Sequence, residues 1–256
     1  MNGKDLSTWR VEWLRLIRTR RLLALVIVFM FFGFVEPLAA KYTQQLINSA
    51  GGADQLKITV PPPVPADGIN GYAGNALVIG LIVSIVIAAL ACAVDAKPAL
   101  GVFYRTRARR FSALLLPRVV VTALGVIGAY LIGFMTAWYE TAVLIGEPDV
   151  GPMLYSALLG AVYLAFAVAI TALAGTVTRG TSGTVGVALV ILLLCPIIGE
   201  LPALNAWMPS TLVGAPQALL PHTAAGHYPR AVAASILLAA MALALASYRG
   251  ARREAG

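Results

Sequence analysis

Six apolar stretches, each long enough to cross a lipid bilayer, constrain the fold more than any other feature of the sequence. A helix needs about 20 apolar residues to span the hydrocarbon core, where its backbone must satisfy its own hydrogen bonds. Only 12% of the residues are charged, whereas a soluble domain has about 25%. We therefore predict an all-α integral membrane protein, a single transmembrane domain over residues 1–256. The predicted spans are residues 22–38, 75–94, 119–139, 153–177, 183–199 and 230–248.

The positions of the basic residues predict how these spans are oriented. Segments 1–21 and 95–118, the turn at Arg179 and the C-terminal tail hold 16 of the 19 Lys and Arg residues. Cytosolic loops of membrane proteins are enriched in Lys and Arg. We therefore expect a multi-pass protein of a bacterial cell (plasma) membrane with both termini in the cytosol. Orientation also accounts for the net charge of +8, so no nucleic-acid partner is expected.

The N-terminal segment 1–21 has the pattern of a helix that lies on the membrane surface. Its apolar side chains recur at helical spacing, with basic residues between them. Trp9 and Trp13 would lie at headgroup depth and serve as interfacial anchors, because Trp is enriched at membrane interfaces. The stripe consists of Leu6, Trp9, Trp13, Leu16 and Ile17.

The loop between the second and third spans, residues 95–110, is more than a connection. It carries five basic residues, and its apolar side chains share one face of a helix. These side chains are Ala99, Leu100, Phe103 and Tyr104. We expect a short amphipathic helix whose apolar face is covered by a partner protein or by lipid.

The segments expected outside the cell are shaped by proline. Glu36 and Pro37 are expected to end the first span, and the proline-rich stretch 61–65 is expected to form a stiff spacer. Residues 200–228 are apolar, but four prolines interrupt them, and a span needs an unbroken helix. We therefore predict a re-entrant outer helical hairpin before the last span.

Residues that could support catalysis are few. The only Gly-Lys pair is Gly3-Lys4, so no nucleotide-binding P-loop is present. The spacing of His222 and His227 matches no recognised zinc motif. We therefore expect no enzyme activity, catalytic residue, metal or cofactor on this chain. Cys92 and Cys195 fall near opposite ends of their spans, which argues against a disulfide.

Small and hydroxyl residues within the spans are expected to serve packing. Thr122, Thr136, Thr171 and Thr176 can bond to carbonyls of their own helices. Gly125, Gly128 and Gly133, and the repeat of Gly180, Gly183 and Gly186, are typical of close helix contacts. The first three could also meet a second copy of the chain.

The order of these elements resembles the membrane subunit of type-2 ATP-binding-cassette (ABC) exporters, and the likeness covers nearly the whole chain. In that family an acidic residue ends the second span, a glycine follows, and a basic residue closes the coupling helix. Asp95, Gly101 and one of Arg107 or Arg110 occupy these places here. The segment around Trp207 and Pro209 is similar to the outer helices that precede the family's last span.

The resemblance implies a transport subunit that exports an amphipathic drug, lipid, peptide or glycan. Two such permease subunits, identical or related, would pair in membrane lipid and bind separate nucleotide-binding ATPase subunits, which hold the ATP and Mg²⁺. Trp207, Pro209 and Glu200 would form an outer gate. The implied ATPase-coupling residues are Asp95, Lys97, Leu100, Gly101, Phe103, Tyr104, Arg105, Arg107 and Arg110.

Two other classes of function compete with this interpretation. A non-transporting immunity or sensor protein could have the same spans without an ATPase partner. An intramembrane enzyme is disfavoured because the sequence shows neither a nucleophile motif nor a metal cluster. Co-purification with a Walker-motif ATPase would distinguish the exporter from both.

Overall fold

A computed structural model describes residues 3–50, 61–92, 111–178, 180–220 and 228–252, and all regular structure in these ranges is helical. The predicted all-α class is confirmed, and six helices are long and apolar enough to cross a membrane. The helices are α1 (Gly3–Arg18), α2 (Arg21–Ala50), α3 (Pro65–Asn75), a π-helical segment (Ala76–Gly80), α4 (Leu81–Cys92), α5 (Phe111–Leu144), α6 (Val150–Val177), α7 (Thr181–Gly199), α8 (Pro202–Asn205), a 3₁₀ helix (Pro209–Leu212), α9 (Ala215–Leu219) and α10 (Tyr228–Arg252).

Helix α6 lies at the centre of the bundle. In its most apolar window 78% of the residues are buried, whereas the figure is 22% for each of α2, α7 and α10. Helices α4, α5, α7 and α10 all pack against α6. The outer helices therefore leave apolar faces uncovered by protein, as expected where a bilayer or a partner chain covers them.

An aromatic cluster ties α2, α3 and α5 together away from the central helix. The Tyr72 hydroxyl donates a 2.6 Å hydrogen bond to the Tyr130 backbone carbonyl, and the two rings stack with centroids 5.8 Å apart. Phe29 and Phe134 pack against them edge-on or tilted. All four side chains are almost fully buried.

The first and second spans differ from the sequence-based boundaries. Helix α2 continues through Glu36 and Pro37 to Ala50, so the expectation that these two residues end it is wrong. The continued helix is held by tertiary contacts: the Asn75 amide donates a 2.6 Å hydrogen bond to the Glu36 carboxylate, and Pro37 packs against Gly68.

The second span begins earlier than residue 75, because α3 starts within the proline-rich stretch. Pro65 occupies the first helical turn, where the missing N–H of proline costs no hydrogen bond. The Asp67 carboxylate accepts a 2.9 Å hydrogen bond from the Val64 backbone N–H. The expected proline spacer thus leads directly into the second spanning helix.

Prolines cut the segment after α7 into short helices, as the sequence predicts. Helix α8, the 3₁₀ helix and α9 each carry a proline in the first turn. The 3₁₀ helix packs against α6, α7 and α10, and α9 packs against α3 and α6. Residues 221–227 of the predicted hairpin lie outside the described ranges.

Several local expectations can be compared with the structure. The hydroxyls of Thr136, Thr171 and Thr176 donate to carbonyls of their own helices, as predicted. Cys92 and Cys195 are free thiols. The glycine repeat after α6 makes no close contact with another helix, because a Cβ at Gly180 or Gly186 would meet open space and one at Gly183 would meet only Thr178.

Candidate functional site at the basic end of the bundle

The two ends of the bundle carry opposite charge. At one end, called the basic end here, lie α1, the end of α4, the start of α5, the end of α6 and the end of α10. Its described residues include Arg15, Arg18, Arg118, Arg249 and Arg252. The opposite, acidic end carries Glu36, Asp67, Glu140, Glu147, Asp149 and Glu200, against the two basic residues Lys41 and Arg230 in the described ranges. This separation agrees with the charge pattern from which the orientation was predicted.

A buried ion pair attaches α1 to α5 at the basic end. The Arg118 Nε donates a 3.0 Å hydrogen bond to the Glu12 carboxylate, and the Arg118 side chain is only 3% exposed. Arg15 lies 3.7 Å from the other Glu12 oxygen. A buried charge that loses its partner is strongly destabilising, so each residue holds the other in place. The amphipathic helix is thus fixed to the first turns of the third span.

Packing strengthens this attachment one turn further along α1. Leu16 is buried, and its Cδ2 lies 2.6 Å from the place where a Cβ on Gly125 would be. The prediction that Leu16 belongs to the membrane-facing stripe is therefore wrong. A side chain at position 125 would have to displace the end of the Leu16 side chain, so Gly125 gives Leu16 room to pack against α5.

A neighbouring face of α1 is exposed in the described part of the chain. Trp9, Trp13 and Ile17 are 36%, 42% and 46% exposed, and they recur every four residues, so they share one face. Aromatic side chains with a polar N–H are well suited to the headgroup region. The predicted interfacial anchors Trp9 and Trp13 thus point away from the bundle.

All of the residues predicted to couple to an ATPase, in the segment 95–110, lie outside the described ranges. The segment is flanked by α4, which ends at Cys92, and by α5, which begins at Phe111. The Cys92 backbone carbonyl lies 3.6 Å from the place where a Cβ on Gly175 would be, near the end of α6. Both flanking helices therefore place their ends at the basic end.

The residues predicted to form an outer gate lie at the acidic end, but in different environments. Trp207 is 50% exposed and Glu200 is exposed, whereas Pro209 is buried. The Asn205 side-chain amide donates a 2.9 Å hydrogen bond to the Gly199 carbonyl, which holds α8 against the end of α7. Of the three predicted gate residues, Trp207 and Glu200 are therefore exposed to a ligand or a partner, and Pro209 is not.

Sequence reasoning missed two polar pairs, Glu12 with Arg118 and Glu36 with Asn75. Glu12 is an acidic residue in a strongly basic helix, and Glu36 is the one carboxylate within an apolar run. Such isolated charges signal that a partner exists. Neither partner could be identified, because each lies on another helix.

Covalent chemistry would require a metal site or a free nucleophile among the polar side chains of the described residues. No group of three His, Cys, Asp or Glu side chains in the described ranges could hold a metal ion. The buried hydroxyls of Ser84, Ser156 and Ser235 donate to carbonyls of their own helices. The pair of Glu12 and Arg118 is a polar contact between two separate helices at this end, and it holds α1 against α5.

No protein-family model matches the sequence, and no curated protein shows a significant match to it.

Proposed function

We propose that this chain is the membrane-spanning subunit of a type-2 ABC exporter, which couples ATP hydrolysis on a separate subunit to outward movement of an amphipathic substrate. The observation that carries the proposal is the buried pair of Glu12 and Arg118. It fixes an N-terminal amphipathic helix to the helix that directly follows the segment 95–110. Any force on that segment would reach α1 and α5 together.

The route from the ATPase to the spans follows from these contacts. An ATPase subunit binds the segment 95–110 and pushes on α5 when it closes around ATP. Helix α5 carries α1 with it through Arg118, and it carries α2 and α3 through the aromatic cluster around Tyr130. Packed helices of this kind change between discrete arrangements rather than bending continuously.

The uncovered apolar faces supply the place for a second permease subunit, identical or related. Val190, Leu193 and Ile197 are largely exposed along one face of α7. Two such faces, one from each subunit, would enclose an apolar path. Such a path suits the export of an amphipathic drug, lipid, peptide or glycan. Trp207, Pro209 and Glu200 would close its outer end.

The decisive experiment measures binding of the ATPase that co-purifies with the chain. The double change Phe103→Ala and Tyr104→Ala should weaken binding by at least about one order of magnitude, because burying each aromatic contributes roughly 1.5–3 kcal/mol. It should also reduce substrate-stimulated ATP hydrolysis in nanodiscs. Membrane insertion should be normal because the spans are unchanged.

A matched control is available at the other end of the bundle. Trp138 and Tyr139 are also adjacent aromatics, and both are exposed at the acidic end. Their double change to alanine should leave ATPase binding unchanged. Equal binding of the wild-type protein and the Phe103/Tyr104 variant, with unchanged hydrolysis, would contradict the proposal. A chain that purifies with no ATPase would instead support the immunity or sensor function.

A further inference from the structure

A cavity of about 580 Å³ opens between the end of α6 and the end of α10, at the basic end. Among the described residues it is lined by Thr176, Val177, Tyr248, Arg249 and Arg252. Sites for small ligands have volumes of about 300–1,000 Å³, so this cavity exceeds what a single inorganic anion fills.

Two arginines give the cavity its charge. Among the described residues, no acidic side chain lies within ion-pair distance of Arg249 or Arg252. The Arg252 guanidinium lies over the Tyr248 ring, 4.7 Å from its centroid, which holds the plane of the guanidinium. A positioned guanidinium binds phosphate oxygens through two parallel hydrogen bonds.

The other polar groups that line the cavity in the described ranges do not cancel this charge. The Thr176 hydroxyl donates its hydrogen to the Leu173 carbonyl, so it is not a donor for a ligand. The C-termini of α6 and α10 each carry roughly half a negative charge. Against two full positive charges this leaves about one positive charge, and the cavity is suited to an anion.

The surface of α10 next to the cavity indicates what kind of anion. Met241, Leu245, Tyr248 and Arg252 follow one another at spacings of four, three and four residues, so they share one face of the helix. All four are exposed. Along this face the apolar Met241 and Leu245 are followed by Tyr248 and then by the cationic Arg252. Tyrosine is enriched at the membrane interface. A phospholipid has the complementary order of acyl chain, glycerol and phosphate.

We propose that this cavity binds the phosphate of an anionic phospholipid whose acyl chain lies along Met241 and Leu245. Basic pockets between spanning helices are a known way of recognising anionic headgroups. A soluble phosphate would make no use of the apolar section. The proposal rests on the cavity and on α10, and it holds whether or not the chain is an exporter.

The test is a lipid titration of the purified full-length chain in a neutral detergent, followed by thermal unfolding. Phosphatidylglycerol should raise the unfolding temperature saturably at low molar ratio, whereas phosphatidylcholine and inorganic phosphate should not. The change Arg249→Gln with Arg252→Gln should weaken the apparent affinity by about 30-fold, since each arginine near the headgroups contributes roughly a fivefold factor.

The control changes the same charge elsewhere at the basic end. Arg10 and Arg18 are exposed on α1, and neither residue lines the cavity. Their double change to Gln should therefore leave the affinity within about a factor of two of wild type. An equal loss of lipid affinity in the two double variants would show that the lipid is attracted by the general positive charge of this end, and it would overturn the proposed site. Stabilisation by inorganic phosphate as strong as by lipid would overturn the lipid assignment.

A charge-preserving variant covers the case in which the Gln variant does not fold. Arg249→Lys with Arg252→Lys keeps both charges and loses the planar guanidinium. It should fold and bind phosphatidylglycerol more weakly than wild type but more tightly than phosphatidylcholine. Equal binding of the two lipids by the wild-type chain would contradict the proposal.

Discussion

Gly33 and Gly133 face each other where α2 crosses α5, and a Cβ on Gly33 would lie 2.5 Å from the Gly133 carbonyl oxygen. A Cβ on Gly133 would likewise lie 2.5 Å from the Phe29 carbonyl oxygen. The two backbones therefore touch, as in the small-residue contacts typical of membrane helices. This approach also brings Phe29 against Tyr130, so the crossing sets the position of the aromatic cluster.

The first prediction concerns this crossing. Gly133→Ala should destabilise the bundle by about 1–3 kcal/mol, because the added methyl group forces α2 and α5 apart. Thermal unfolding in detergent should show a lower unfolding temperature. Gly128→Ala is the control, since a Cβ there meets nothing within 4 Å. If both variants unfold at the wild-type temperature, the backbones of α2 and α5 are not in contact at Gly133.

The second prediction concerns the attachment of α1. Glu12→Leu should destabilise the fold by up to roughly 3–5 kcal/mol, because it removes a carboxylate that is hydrogen-bonded to the buried Arg118 guanidinium. Hydrogen exchange should become faster in α1 and in the first turns of α5. The double change Glu12→Leu with Arg118→Met should recover much of the loss, because the buried positive charge is removed together with the carboxylate.

The exposed Arg10 supplies the control for this second test. Arg10→Gln changes a charge on the same helix outside the buried pair, so exchange in α1 should stay at the wild-type rate. Equal exchange in the Glu12→Leu variant and in wild type would mean that the ion pair does not hold α1.

The third prediction concerns topology. In a variant without native cysteines, Asp67→Cys and Glu147→Cys should react with an impermeant maleimide on intact cells. Arg10→Cys and Ala251→Cys should react only after the membrane is opened. All four positions are exposed, so a failure to react cannot come from burial. Labelling of position 251 from outside would exclude cytosolic termini.

The fourth prediction separates a gate from a structural loop. Trp207→Ala should change the free energy of unfolding by less than about 0.5 kcal/mol, as is usual for an exposed residue. Export should nevertheless fall if Trp207 closes the outer end of the path. Leu204→Ala removes another exposed apolar side chain from the same segment and should leave export unchanged. If the Trp207→Ala variant and the wild-type protein export substrate at the same rate, Trp207 does not form a gate.

Apolar run length and charge were enough to predict the all-α class and six helices long and apolar enough to cross a membrane. The proline positions likewise predicted the short helices after α7, since Pro202, Pro209 and Pro216 each lie in the first turn of one. These features depend on local physical chemistry: the solvation of a helix backbone in lipid and the missing N–H of proline. Neither requires knowledge of which helices are neighbours.

Where contacts between distant residues decide the outcome, sequence reasoning failed. Glu36 and Pro37 look like the end of a helix, yet Asn75 and Gly68 of another helix hold them inside α2. Leu16 has the spacing of a membrane-facing residue, yet Gly125 lets it enter the core. The choice of partner depends on how the helices cross.

The same limit applies to the candidate sites. The sequence identified the basic residues near Tyr248 as a tail, but only the packing of α10 against α6 forms a cavity beside them. The sequence predicted that Arg118 lies at the membrane interface, but only the tertiary structure shows that the Arg118 guanidinium is buried against Glu12. Hydropathy and charge act along the chain and can be read from it, whereas burial and pairing depend on residues that are distant in sequence, 39 positions apart for Glu36 and Asn75 and 106 for Glu12 and Arg118.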